Sequence, residues 1–365
     1  MNLLFLALLP LAGAQSLSDL YVDTAPSSPR PYVLPHYANS HAVTIGSQLY
    51  RFAVTGPSSD YAFTLMSTNA PASGSLGVLP HIHQAHYENF FSFKGRFQLW
   101  TQHGDGGQQG RLLTQGDYGS VPRNTTHTFQ ILDPDTEMVG VISPGGFEDL
   151  FYFLGTNHSS STNTPYVPKP SNDSSSAGGS SEIISTLQRF DVYAQLDFKP
   201  RRDFANGSAP ASANWHSIDS TETSLGKPGE PYFVANNYGP KYLNARHGAY
   251  QIVQPLVTNT QSQDTNFTMS TIILSRQEGA APVLNGSGAS AFEVLEGSLL
   301  VKIGKYPVAR LETGDVAFVP PRVSFQYWSE ASYAKVLYVG SGKDGVDTRL
   351  IAEGKDWGYP TFPAN

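Results

Sequence analysis

The residues best suited to chemistry lie in one short segment, GVLPHIHQAHYENFFSFKG, at positions 77–95. His81 and His83 stand two apart, so on a β-strand both imidazoles leave the same face. Glu88 follows five residues later, across an expected turn or bulge, and His127 comes from the later segment GDYGSVPRNTTH. Three neutral imidazoles and a carboxylate suit a borderline divalent ion, with room left for water or substrate. A lone His-x-His pair is weak evidence in a chain with ten histidines, so its context must carry the reading. The competing reading is that these histidines are merely hydrogen-bonded on a barrel wall. His86 shares parity with Glu88 and is read as a supporting or structural residue. His36, His41, His103, His158, His216 and His247 have no comparable neighbours and receive no role.

The elements that must position these side chains are short strands. Glycine (34) and proline (26) are plentiful, and turns separate runs such as QLYRFAV, which points to an all-β protein. A weak internal repeat divides it. FSFKGRFQL (91–99) leads to GDYGSVP (116–122), and EVLEGSLLV (293–301) leads to GDVAFVP (314–320). Alternation in these strands implies one face inward and one outward, as a barrel or jelly roll needs. The Ser-, Pro- and Gly-rich stretch 157–181 reads as an exposed linker. Ile184, Leu187, Phe190, Asp191 and Ala194 then recur at near-helical spacing, which predicts one short helix in the connection. The expected division is a signal segment 1–14, a first barrel 15–156, a linker 157–214 and a second barrel 215–365. Registering Gly297 on Gly95 puts Val283, Asn285 and Ser290 where His81, His83 and Glu88 stand. Registering Pro320 on Pro122 puts Phe325 in the place of His127. No ligand survives, so the second barrel is expected to be structural.

Composition narrows the setting. At 365 residues, with 12% aromatic and 15% charged residues, the chain can bury two cores. A net charge of −7 supplies no basic block for a phosphate backbone, so no nucleic-acid partner is expected. The apolar run at 3–11, followed by Ala12-Gly13-Ala14, reads as a cleavable secretion signal too short to span a bilayer. No later run is long enough for a membrane span. Six glycosylation sequons, at Asn124, Asn157, Asn172, Asn206, Asn266 and Asn285, agree with a secreted, extracellular chain. There is no cysteine, which removes disulfides, thiolate metal sites, Fe–S clusters and thiol nucleophiles.

The spacing Gly77-x3-His81-x-His83-x4-Glu88-x6-Gly95, then Gly116-x5-Pro122-x4-His127, resembles both signature motifs of the cupin superfamily. Two departures stand out. Three residues rather than five precede His81, and Asn124 replaces a usual glycine. Longer segments, among them LYRFAVTGPSSDYAFTLM, GDYGSVPRNTTHTFQILDPDTEM, PGGFEDLFYFLG, FDVYAQLDF and GPKYLN, resemble the fungal quercetin 2,3-dioxygenases over nearly the whole mature chain. That resemblance implies a secreted, glycosylated bicupin. It implies one copper ion per chain, held by His81, His83, Glu88 and His127 in the first barrel, with Glu88 also the general base. It implies flavonol and O2 as substrates, with carbon monoxide released. The family's flavonol cavity falls on Tyr50, Met66, Thr68, Phe90, Phe129, Met138, Ile142 and Phe147. Phe90 lies beside the ligand strand and Phe129 two residues after His127, which suits a flat aromatic substrate. For Met66 and Ile142 taken singly, ordinary core packing is the competing reading. Other divalent metals fit the same donors, and a homodimer is left open. Three alternatives remain at this stage. They are a manganese oxalate oxidase or decarboxylase with a small polar pocket, a non-catalytic binding or storage bicupin, and a dioxygenase for another aromatic ring.

Overall fold

The computed structural model describes residues 15–38, 42–158, 181–201 and 225–364. Residues 1–14, expected to be a signal segment, and the stretches 39–41, 159–180 and 202–224, with His41, His216, Asn172 and Asn206 among them, lie outside the described residues. Two β-barrels form, each an eight-stranded sheet curled over a smaller sheet. In the first, Tyr87–Lys94, Thr136–Ser143, Thr64–Ala70 and Gln48–Val54 build the large sheet. His81–Ile82, Thr125–Ile131 and Phe97–His103 build the small one. The repeated glycines make the corners. Gly95 (φ 70°) and Gly297 (φ 75°) sit in the left-handed region, and a Cβ at Gly95 would lie 2.7 Å from the Asp135 carbonyl oxygen. In each Gly-Asp turn the aspartate closes the loop. Asp117 accepts from the Thr114 amide at 2.8 Å, and Asp315 from the Glu312 amide at 2.9 Å.

The two barrels trade edge strands. Tyr32–Leu34 pairs with Val316–Val319 of the second barrel, and Tyr232–Val234 pairs with Tyr118–Val121 of the first. Strands therefore cross the sequence-based division at 157–214 in both directions. The large sheets also share one core: Phe63, Tyr87, Phe91 and Val141 of the first half pack in a single apolar cluster with Phe267, Met269, Phe318 and Val339 of the second. This is why simple in–out alternation fails. Phe267–Leu274 is buried at all eight positions, because one face looks into its own barrel and the other meets the opposite sheet.

The short helix in the connection is present at Ser181–Leu187, followed by a 3₁₀ turn at Gln188–Phe190. Helical spacing overran its end, since Tyr193–Ala194 is a strand of the first barrel's small sheet. The repeat register is also corrected. His81 lies opposite His127, whereas Phe325 lies opposite Leu284 rather than Val283, which is 64% exposed. The Asn124 amide donates to the His83 carbonyl, and the Arg322 amide to that of Gly286. The true counterparts of His81 and His83 are therefore Leu284 and Gly286. The turn before Ser290 is one residue shorter than the turn before Glu88, so counting back from Gly297 overshoots by one.

Candidate metal centre

His81, His83 and His127 come from the small sheet and its edge, and Glu88 from the large sheet facing it. His81 is central, paired with His127 on one side and Ala194 on the other. One ligand atom from each of the four residues lies within 4.8 Å of the others. His83 and His127 are buried, and the Glu88 side chain is 14% exposed. Each ring is fixed through Nδ1 by a backbone carbonyl. His81 bonds Leu79 at 2.7 Å, His83 bonds Asp191 at 2.8 Å and His127 bonds Thr125 at 3.0 Å. A neutral imidazole that donates from Nδ1 presents Nε2 as a lone pair, the form a metal ligand needs.

Two of these lone pairs converge on one carboxylate oxygen. Glu88 Oε2 lies 3.1 Å from His83 Nε2 and 2.8 Å from His127 Nε2. Lone pairs aimed at an anionic oxygen repel unless a proton or a cation sits between them. Ligands about 2.0–2.1 Å from one tetrahedral ion stand roughly 3.3–3.4 Å apart, close to these spacings. The donor set therefore fits a divalent metal. Electrostatics agree: burial, then repulsion by His127 and His83, holds His81 well below its ordinary pKa and so neutral. Burial raises the Glu88 carboxyl, but with a proton or a cation between it and His127 and His83 those contacts outweigh burial and keep it ionised.

A cavity of about 130 Å³ opens from the ligands into the barrel. Tyr50, Met66, Thr68, Phe90, Phe129, Met138 and Phe147 line it, together with His81 and Glu88. Ile142 does not. It is buried in an apolar cluster with the cavity-lining Tyr50, Met66 and Phe147, and it is the strand neighbour of Glu88. Phe147 stands edge-on to His83 with ring centroids 4.9 Å apart, and Phe90 lies 6.0 Å from Phe129. Tyr50 donates to Gln48, and burial, followed by the charge of Glu88, pushes its phenol up so that it stays protonated.

Several wall residues carried no signal of that role in the sequence. Gly77 and Gly140 leave space by lacking side chains, and a Cβ at Gly77 would strike the Phe129 ring at 2.2 Å. Leu187, Val192 and Ala194 reach the cavity from the connection between barrels. Asp191 was read only as part of a helical repeat, yet it holds His86 and the turn at 84–86. Burial raises the Asp191 carboxyl, but His86 and the amides of Ala85 and Gln84 bring it down to about 2. His86 thus has a structural partner, and His36 pairs with Glu137 at the seam between barrels. Among the sequons, Asn124, Asn157, Asn266 and Asn285 are exposed.

No family model matches the chain. A quercetin 2,3-dioxygenase from Aspergillus japonicus is 58% identical over 350 residues, which cover 95% of this chain and 99% of the relative. A quercetin 2,3-dioxygenase from Bacillus subtilis strain 168 is 35% identical over 130 residues, 36% of either chain. Oxalate decarboxylase from Lactobacillus farciminis, in its formate complex, superposes with a TM-score of 0.51 at 11% identity, covering 88% of this chain and 89% of that one. Procruciferin, an 11S globulin from Brassica napus, gives 0.51 at 10% identity over 86% and 85%. Those two likenesses speak to fold alone, and they make the architecture a pair of cupin domains. Identity of 58% along almost the full length of both chains is a stronger tie, and by it the protein belongs to the quercetin 2,3-dioxygenase family.

Proposed function

We propose that this chain opens the central ring of flavonols such as quercetin with O2, giving a depside and carbon monoxide. The observation that carries the proposal is a three-histidine, one-carboxylate cluster at the end of an apolar, aromatic-walled cavity. Oxalate chemistry is disfavoured on the same ground. A small dianion needs a cationic or strongly polar pocket, and among the described residues no Lys or Arg lines this cavity. A storage or binding role would not require converging Nε2 lone pairs.

Copper(II) is the metal we infer, one per chain, held by His81, His83, Glu88 and His127; bound there it would act as a Lewis acid toward the flavonol 3-oxygen. The chain's own residues do the rest. Phe90, Phe129, Met138 and Phe147 hold the flat rings and exclude water. Glu88, ionised at the cavity end, accepts the proton of the 3-hydroxyl as general base. The electron-rich flavonolate then takes up O2. Both oxygen atoms end on ring carbons 2 and 4, and carbon 3 leaves as carbon monoxide, so no external reductant is consumed. The exposed sequons and the N-terminal apolar run support a secreted glycoprotein.

The test supplies purified, metal-loaded protein with quercetin and O2 and assays the headspace. One carbon monoxide per quercetin consumed is expected. Quercetin turnover without carbon monoxide, or turnover of oxalate instead, overturns the reading.

A further inference from the structure

The ligands His83 and Glu88 are joined by a short arc whose turn, at 84–86, has its amides aimed at one side chain. Gln84 donates to Asp191 Oδ1 at 2.9 Å, and Ala85 and His86 donate to Oδ2 at 2.8 and 3.0 Å. The His86 ring adds a fourth contact, Nδ1 to Oδ2 at 2.8 Å. The backbone of the same Asp191 accepts from His83 Nδ1 at 2.8 Å. One residue, more than 100 positions away in sequence, therefore grips both the imidazole of His83 and the turn that leads to Glu88.

Local geometry makes that grip specific. Asp191 closes a 3₁₀ turn in the left-handed region (φ 61°), with its amide donating to the Gln188 carbonyl. Aspartate tolerates this conformation better than most side-chain-bearing residues. The chain then runs directly into Tyr193–Ala194, which pairs with His81–Ile82, and the Gln195 amide bonds the Pro80 carbonyl at 2.7 Å. The carboxylate is thus anchored on the strand that also supports His81. Gln84 and Ala85 are exposed, so without the carboxylate their amides would turn to water and the turn would lose the acceptor that holds its shape.

We propose that Asp191 is a positioning residue for the metal centre. Its carboxylate sets the arc between His83 and Glu88, and its carbonyl sets the His83 ring, so that both donors meet one ion. The proposal rests on the metal reading of the four-residue cluster.

Two variants test it in the full chain: Asp191→Asn, which keeps one acceptor oxygen, and Asp191→Gly, which deletes the carboxylate and accepts the positive φ without strain. Wild type and His83→Ala are measured beside them. Copper affinity is taken by chelator competition, the copper(II) spectrum by electron paramagnetic resonance, and the fold by circular dichroism. We expect either folded Asp191 variant to bind copper about 10–100-fold more weakly, as loss of a ligand's supporting partner does. With copper in excess, occupancy returns but the hyperfine pattern stays altered, and kcat falls while KM for quercetin holds. Wild-type affinity and spectrum in either folded variant overturn the proposal, even if its melting point drops. Should both variants fail to fold, Asp191 is a folding residue and the proposal falls. If wild type and His83→Ala bind copper alike, the metal reading itself fails, a result distinct from failure of Asp191 alone.

Discussion

The two barrels share a strand plan but not an interior. Registered through their pairings, Phe90 lies opposite Gly140 in the first barrel, and Phe292 opposite Tyr338 in the second. Glu88 corresponds to Ser290, and His127 to Phe325. The second interior is filled by rings: Phe292 stands 5.9, 5.0 and 5.2 Å from the centroids of Phe325, Tyr327 and Tyr338. The first leaves the same space to a cavity, bounded by Gly140 where the second barrel has Tyr338. What the barrels keep in common is scaffolding. Glu148 accepts from Gly56 and Thr64 in the first, and Asp347 from Thr268 and Ser270 in the second, each tying the barrel's closing helix to a strand. A cupin barrel does not need its metal site to be stable. The second shows that ordinary aromatic packing serves as well, so the polar cluster in the first is retained for chemistry.

The largest effect should come from removing the carboxylate proposed as the base, which the second barrel replaces with Ser290. Glu88→Gln is nearly isosteric and should leave both barrels folded, with the three histidines still binding metal. Turnover of quercetin should fall by about 10²–10⁴-fold, the usual worth of general-base assistance. Metal content and carbon monoxide release measured on one sample distinguish this from simple ligand loss, which excess metal would reverse. Near wild-type turnover in the metal-replete variant would mean that Glu88 is not the base.

A smaller effect should follow from making the first barrel resemble the second. Gly140→Leu places a side chain where Tyr338 stands in the repeat. The nearest obstacle to its Cβ is Met66 Cγ at 3.2 Å, a flexible neighbour, so the barrel should adapt and the cavity should shrink. Quercetin KM should rise about tenfold with metal content unchanged, as expected for overpacking that costs 1–3 kcal/mol. The reverse change, Tyr338→Ala, should lower stability by about 3–5 kcal/mol without creating a metal site. An unchanged KM in Gly140→Leu would show that Gly140 does not set the cavity's size.

How much of this was legible in the sequence follows from how far each interaction reaches. The convergence of His81, His83 and Glu88 was readable because strand parity and short spacing fix which side chains meet, and His127 joined them through the motif resemblance. Phe90 and Phe129 were readable for the same reason, being two residues from Glu88 and His127. Ile142 shows the limit, since strand parity could not say that it packs against Tyr50, Met66 and Phe147 without itself lining the cavity. Asp191 was illegible because its partners at 83–86 are brought to it only by the folded connection. The shared core was hidden too, since burial of a strand's outer face depends on a second barrel that local alternation cannot report.

The smallest expected effect concerns the seam where the two barrels meet. Glu293 of the second barrel is 4% exposed, and its Oε2 makes no hydrogen bond. Glu137 of the first lies close by, paired with His36 at 3.0 Å and accepting from the Tyr37 hydroxyl at 2.9 Å, while the Arg51 guanidinium stacks on Tyr37. Burial, then the charge of Glu137, pushes the Glu293 carboxyl well above its ordinary range, so it is protonated where an unfolded glutamate would already be ionised. An acid raised in the folded state contributes stability that is complete below the unfolded pKa, near 4.3, and is lost as pH climbs toward the folded value. Glu293→Gln keeps the neutral shape and cannot ionise, so it should match wild type near pH 4 and gain on it as pH rises. Calorimetry from pH 4 to 8 should show the melting points of variant and wild type separating by a few degrees toward the alkaline end. A gap that stays constant across the range, or one that closes as pH rises, would mean that Glu293 is ionised in the folded seam. The two barrels would then meet across a buried pair of like charges, a far more costly join than their common apolar core suggests.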